Sequence, residues 1–190
     1  IINGFRRFLT MQDDLTSIIK IYGIREKTSK EMITCVKRFN AEYNVDVDTG
    51  QQIRILMIRS DNGREFSSRE FKDYCLENQI KQEFSIPRRQ YQNGTIERNI
   101  RTITEIARSL IIQSNLPKEF WLLALECAAY IKNRSTSRID KHTKTPYENF
   151  YNCKPKVDHL RIFGCDVYHF IDPERRKEGN MSRCGQKGIF

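Results

Sequence analysis

The 190 residues carry 33 Lys and Arg against 24 Asp and Glu, a formal charge of +9, with 38% hydrophobic and 30% charged residues. That is enough chain for one sizeable domain with an appendage, and enough apolar content to fold beneath a strongly charged surface. The basic balance favours a polyanionic partner, since Lys and Arg that neutralise phosphates release counterions, with plain solubility the competing reading. No stretch approaches the about eighteen apolar residues of a membrane span and no signal peptide is visible, so no membrane partner is expected.

In chain order, Phe5 to Met11 reads as a strand running into Gln12-Asp13-Asp14, and Ser17 to Tyr22 as a second strand, together an antiparallel hairpin. Thr28 or Ser29 caps a helix from about Lys30 to Tyr43, with Ile33, Val36, Phe39 or Asn40, and Tyr43 as its inner stripe. The polar tract 44–52 is a loop. Residues 53–58 form an apolar run broken only by Arg54, which suits a strand covered on both faces. Ser67 then caps a helix over Ser68 to Asn78, and Ile80 to Phe84 alternates as a short strand. The order of strands and helices is that of an α/β domain with a central sheet.

The segment from Ser85 to Gly94 is rich in turn formers and polar groups, a candidate substrate loop. From Thr95 to Asn115 apolar residues recur at three- and four-residue steps, predicting a long amphipathic helix. Pro117 starts a further helix to about Arg134, apolar almost all round and therefore expected to be buried. Beyond Ser135 a basic loop leads to a helical turn at Pro146 to Phe150. A strand is expected over Leu160 to Phe170 with a bend at Gly164, and another from Lys187 to Phe190.

Six cysteines show no C-x-x-C pair; Cys35, Cys75 and Cys127 fall in helical apolar patterns and read as free buried thiols, pointing to a reducing, intracellular compartment. His142, His159 and His169 are scattered and build no zinc module with the cysteines.

Two carboxylates stand out. Asp61 follows the apolar run, and Glu97 lies in the first turn of the long helix, with 35 residues between them. A strand end beneath a covered sheet is a costly place for an unpaired carboxylate. If the fold brings the two together, a cation, Mg²⁺ or Mn²⁺, must offset their repulsion. The bland readings are that Asp61 is a turn residue in Asp61-Asn62-Gly63, and that Glu97 complements the helix dipole with Arg101 as its partner one turn on.

Arg59-Ser60-Asp61-Asn62-Gly63 and Gln92-Asn93-Gly94-Thr95-Ile96-Glu97-Arg98 resemble the integrase core of copia-type LTR retrotransposons, within the retroviral integrase and RNase H-like superfamily. Later stretches resemble it in the same order: Leu116 to Trp121, Tyr130 to Arg134, Lys144 to Glu148, and His159 to Cys165. The resemblance implies an RNase H-like fold, a mixed central sheet flanked by helices, and a D,D(35)E carboxylate triad holding two divalent ions about 3.5–4 Å apart. By that pattern Asp61 is the second carboxylate and Glu97 the third. The first lies on a strand upstream of the hairpin, so this chain is expected to lack its first strand. Asp13 and Asp14 match an acidic pair at the end of the family's second strand, which is not the metal position.

The expected organisation is an integrase catalytic core over residues 1–138 and part of a family-specific extension over 139–190. The expected function is 3′-end processing and strand transfer of element DNA into target DNA, by a polynucleotidyl transferase using Mg²⁺ or Mn²⁺ at Asp61 and Glu97. Asn93, at the loop-to-helix junction, and Arg101 and Arg108, on the helix face of Glu97, are the candidate DNA contacts. The resemblance further implies a homo-oligomer moving from a cytoplasmic virus-like particle to the nucleus. The alternatives are a non-catalytic nucleic-acid- or protein-binding remnant, which the missing first aspartate favours, and an RNase H-like nuclease.

Overall fold

The apolar residues of the second strand fall at both odd and even positions, which requires cover on both faces of the sheet. In the computed structural model, which describes residues 4–43, 54–85, 94–136, 144–172 and 185–190, that cover is present. Strand β1 (Arg7–Gln12) pairs antiparallel with β2 (Ile19–Ile24), Arg7 opposite Ile24 and Gln12 opposite Ile19. Tyr22 and Ile24 join one core cluster and Ile19 and Ile21 the other. The turn between the strands is held by Asp13, whose Oδ2 accepts the backbone N–H of Thr16 at 2.8 Å and its hydroxyl at 2.6 Å.

Helix α1 (Ser29–Glu42) starts at Thr28, whose hydroxyl accepts the Glu31 N–H. Glu31 reaches back to accept the backbone N–H groups of Arg25 and Glu26, satisfying donors just ahead of the helix. The helix buries Met32, Cys35, Val36 and Phe39 against the first face, while Ile33 and Tyr43 pack at its margin. The expected stripe is thus rotated, with Met32 and Cys35 taking the centre.

Strand β3 (Met57–Ser60) pairs in parallel with β4 (Lys81–Phe84). It starts later than the expected 53–58, and it is not covered on both faces: Leu56 is 65% and Met57 45% exposed. The reason is pairing. β3–β4 and β1–β2 are separate two-stranded sheets, so β3 has a hydrogen-bonded neighbour on one side only among the described residues. Between β3 and β4 the helix expected over Ser68 to Asn78 is present as α3 (Arg69–Glu77), and a short helix that was not expected, α2 (Arg64–Ser67), precedes it. Extended backbone at Ser68 breaks them, and its hydroxyl caps α3 by accepting the Phe71 N–H at 3.2 Å. Phe71 and Cys75 complete the first cluster.

The second face is covered by α4 (Gly94–Ser114) and α5 (Trp121–Asn133). α4 buries Ile103 and Ala107; α5 buries Leu125 and the small residues Ala124, Ala128 and Ala129, which let it lie close to β2. Instead of one helix from Pro117, a 3₁₀ turn (Lys118–Phe120) precedes α5, and α5 is not buried all round, since Leu123 is exposed. Asn133 at the end of α5 docks on the free edge of β2: its Oδ1 accepts the Ile19 N–H at 2.9 Å and its Nδ2 donates to the Ile19 carbonyl at 2.7 Å. The side-chain amide stands in for a neighbouring strand.

Helix α6 (Pro146–Tyr151) begins in a capping box, Glu148 N–H to the Thr145 hydroxyl and Thr145 N–H to the Glu148 carboxylate. β5 (Asp166–Phe170) and β6 (Gly185–Ile189) form an antiparallel hairpin. The strand expected from Leu160 begins only at Asp166. Gly164 sits at φ +80, a left-handed turn that ends extended pairing, and its α-carbon lies against Ser114 at the end of α4 where a side chain would collide.

Candidate active site

Asp61 follows β3 directly and is exposed. Its Oδ1 accepts the Gly63 N–H at 3.3 Å, closing the turn that the Asp-Asn-Gly sequence favours. No other hydrogen bond engages its carboxylate among the described residues, which leaves Oδ2 free for a ligand. Gly63 has an ordinary extended backbone, so it is not needed for its conformational freedom. Its α-carbon lies close to Glu65: a Cβ there would meet that carboxylate at 2.9 Å and displace it.

Glu97 lies in the first turn of α4 and is also exposed, where the positive end of the helix dipole favours an anion. No ion pair joins it to Arg101, so the solvent-side pairing expected of that spacing does not form. Arg101 and Arg108 are exposed on the same face of α4, about 40° and 20° round from Glu97 at 100° per residue. Asn93, and the candidate substrate loop over 86–93, lie outside the described residues.

The end of β1 is the hinge of this region. Gln12 accepts from the Asn99 side-chain amide at 3.2 Å, touching α4 two residues beyond Glu97. Asp14 pairs with the Arg59 guanidinium at 3.3 Å, two residues before Asp61, and Arg59 also reaches Glu83 on β4 at 3.5 Å. β1, β3 and α4 therefore bring their neighbouring ends to one side of the molecule. The hydrogen bonds that Asp13 makes to Thr16 occupy it in the hairpin turn. Among the described residues no three His, Cys, Asp or Glu side chains gather as a metal-binding group. Two exposed carboxylates, one with an oxygen uncommitted, are the donor chemistry a hard divalent cation takes, but they are an incomplete set.

Glu65 escaped the sequence reading. It is 8% exposed in the first turn of α2 and pairs with Lys27 at 3.1 Å. Burial is the largest single influence on its carboxyl and raises the pKa, but its own backbone N–H and the Lys27 ammonium together outweigh that and hold it below the usual range. The available signal was an acid two residues after a glycine at a helix start. His159, given no role from sequence, meets the Tyr130 hydroxyl through Nε2 at 2.6 Å, while the Arg134 guanidinium stacks on the rings of Tyr130 and Tyr147. Both tie the C-terminal segment to α5. Cys35 and Cys75 are free and buried, and burial pushes the Cys35 thiol up to about 11, which removes it as a nucleophile at neutral pH.

Helices on both faces of a sheet, with an acid at a strand end and another at the start of a long helix, define the class. Solved structures share that fold. The chain superposes on the integrase of the simian T-cell lymphotropic virus intasome with a TM-score of 0.60 at 18% identity, covering 95% of this chain and 60% of that one. It superposes on the HTLV-2 integrase catalytic core domain, solved in complex with magnesium, with a TM-score of 0.55 at 18% identity, covering 76% of this chain and 92% of that one. This is the RNase H-like fold of integrase catalytic cores.

The family model "Integrase core domain" matches residues 1–90. The chain is 35% identical over 91% of its length to the retrovirus-related Pol polyprotein from transposon TNT 1-94 of Nicotiana tabacum. It is 27% identical over 98% of its length to the Pol polyprotein from transposon RE2 of Arabidopsis thaliana. The chain belongs to the integrase cores of retrotransposon Pol polyproteins of this copia type. It spans 12% of the length of each of those two relatives.

Proposed function

We propose that the protein to which this chain belongs joins the ends of element DNA to target DNA, by metal-dependent transfer of a phosphodiester, and that Asp61 and Glu97 are two of its metal ligands. The observation that carries the reading is the meeting of element ends around β1: Gln12 with Asn99 beside Glu97, and Asp14 with Arg59 beside Asp61. It supports the reading because a strand end and a helix start that each carry an acid both contact the end of β1, in an integrase-core fold.

In this reading Asp61, its turn closed through Oδ1, offers Oδ2 to Mg²⁺ or Mn²⁺, and Glu97 offers its carboxylate from the helix start. When bound, the divalent ions stabilise charge on the attacking and leaving oxygens of the phosphodiester. Arg101 and Arg108 hold phosphates along the exposed face of α4, and Asn93 contacts DNA where the loop enters that helix. Two carboxylates are an incomplete ligand set for such ions, and among the described residues no third acid gathers with them. The working form is an oligomer on DNA, assembled in the cytoplasm and acting in the nucleus.

The test is a strand-transfer assay on the longer integrase that contains this chain. Asp61→Asn and Glu97→Gln are each expected to abolish joining while DNA binding survives. Full joining by Asp61→Asn would sink the reading. Joining by the 190 residues alone, abolished by Asp13→Ala, would show that the triad is misplaced.

A further inference from the structure

We propose that Glu65 and Lys27 form a latch that positions Asp61, making Glu65 a positioning residue for the site; this rests on the reading of Asp61 as a metal ligand given above. The contacts run in series. The Lys27 ammonium, in the turn between β2 and α1, meets the Glu65 carboxylate at 3.1 Å. That carboxylate sits beside Gly63, where its three terminal atoms would each stand 2.9 Å from a Cβ. The Gly63 N–H in turn donates to Asp61 Oδ1.

Three features separate this latch from an ordinary surface ion pair. Glu65 is 8% exposed although its helix has only four residues, too short to be stable without outside support. Gly63 takes φ −61 and ψ 148, which any residue adopts, and the Glu65 carboxylate is close enough that a Cβ at position 63 would push it aside. A second tie brackets the same short helix: the Ser29 hydroxyl, at the start of α1, donates to the Ser68 hydroxyl at 2.6 Å just beyond α2. The Asp61 turn is thereby referenced to α1, which the core holds fixed, and not to the exposed edge of β3. Metal ligands depend on such supporting groups for orientation, and their loss typically costs about 10–100-fold in metal affinity.

Lys27 is the residue to change, because its side chain is 57% exposed and its substitution leaves the core intact. In the longer integrase, Lys27→Met is expected to weaken Mn²⁺ binding, titrated by electron paramagnetic resonance, by about tenfold. It is also expected to speed hydrogen exchange at the Gly63 amide in metal-free protein, and Lys27→Arg is expected to restore both. Unchanged Mn²⁺ binding and unchanged exchange in Lys27→Met overturn the latch. So does a fall in melting temperature that Lys27→Arg reverses without recovery of metal binding or Gly63 protection, which would mark a purely structural pair. Asp61→Asn separates the two claims: if it leaves Mn²⁺ binding intact, the ligand reading fails, and Gly63 exchange in Lys27→Met alone decides the latch.

Discussion

The seam where α5 meets β2 and the tip where β3 meets the Asp61 turn are built on opposite terms. At the seam, Ile19 and Ile21 lie beneath Ala124, Leu125, Ala128 and Ala129, and the open edge of β2 is closed by the Asn133 amide. At the tip, β3 has one strand neighbour, Leu56 and Met57 are exposed, and Asp61 is held by one hydrogen bond of its own turn. The seam spends apolar area and paired polar groups on rigidity. The tip keeps carboxylates in reach of solvent and draws its order from a neighbour, through Lys27 and Glu65. A site that must accept charged ligands cannot be buried like a core, so its precision has to be transmitted from one.

Mutations rank along that contrast. Phe71, fully buried and edge-on to Phe66 at 5.3 Å, links the core to the helices behind the tip. Phe71→Ala is expected to cost about 3–5 kcal/mol in a urea titration, enough to unfold a marginal domain. Asn133→Leu comes next. It leaves the Ile19 N–H and carbonyl buried without partners, and about 2–3 kcal/mol should be lost by the same measurement. A loss below about 0.5 kcal/mol would mean that the seam does not need its amide.

Acid should reach the tip through Glu65. Its folded pKa is depressed, so its contribution is fully present above the unfolded value of about 4.3 and fades as pH falls through the lower folded one. Hydrogen-exchange protection at residues 61–65, corrected for the intrinsic pH dependence of exchange, should therefore fall as acid protonates Glu65, and in Lys27→Met the onset should move to higher pH. An identical onset in both proteins would remove Lys27 from the account.

The smallest effects on stability belong to the site itself. Asp61→Asn and Glu97→Gln change exposed groups and should shift the unfolding midpoint by no more than about 0.5 kcal/mol, while strand transfer by the longer integrase falls on the order of a thousandfold or more. If Glu97→Gln destabilised as much as Asn133→Leu, the division between rigid seam and exposed tip would be wrong.

Much of this was legible in one dimension because it is local. The run from Ser17 to Tyr22 predicts the second strand of the hairpin, and β2 pairs with β1 as expected. Thr28 announces α1, and the apolar steps from Ile96 to Ile111 announce α4 to within a residue at each end. The spacing of Asp61 and Glu97 singled out the two acids. The failures were also local in cause. Ser68 turns the chain where Ser67 looked as good a cap, and the run at 53–58 looked like a covered strand because composition reports apolarity and not the presence of a neighbour.

What the sequence by itself determined is most of the elements, since caps, periodicity and turn chemistry act over a few residues; it also nominated the two acids. What only the tertiary structure decided is which groups meet: Asn133 with Ile19, 114 residues apart, Lys27 with Glu65, and the end of β1 with both β3 and α4. The physical reason is that a hydrogen bond or ion pair between distant residues has no period and no local cost. It exists only once packing has paid the entropy of bringing the two segments together.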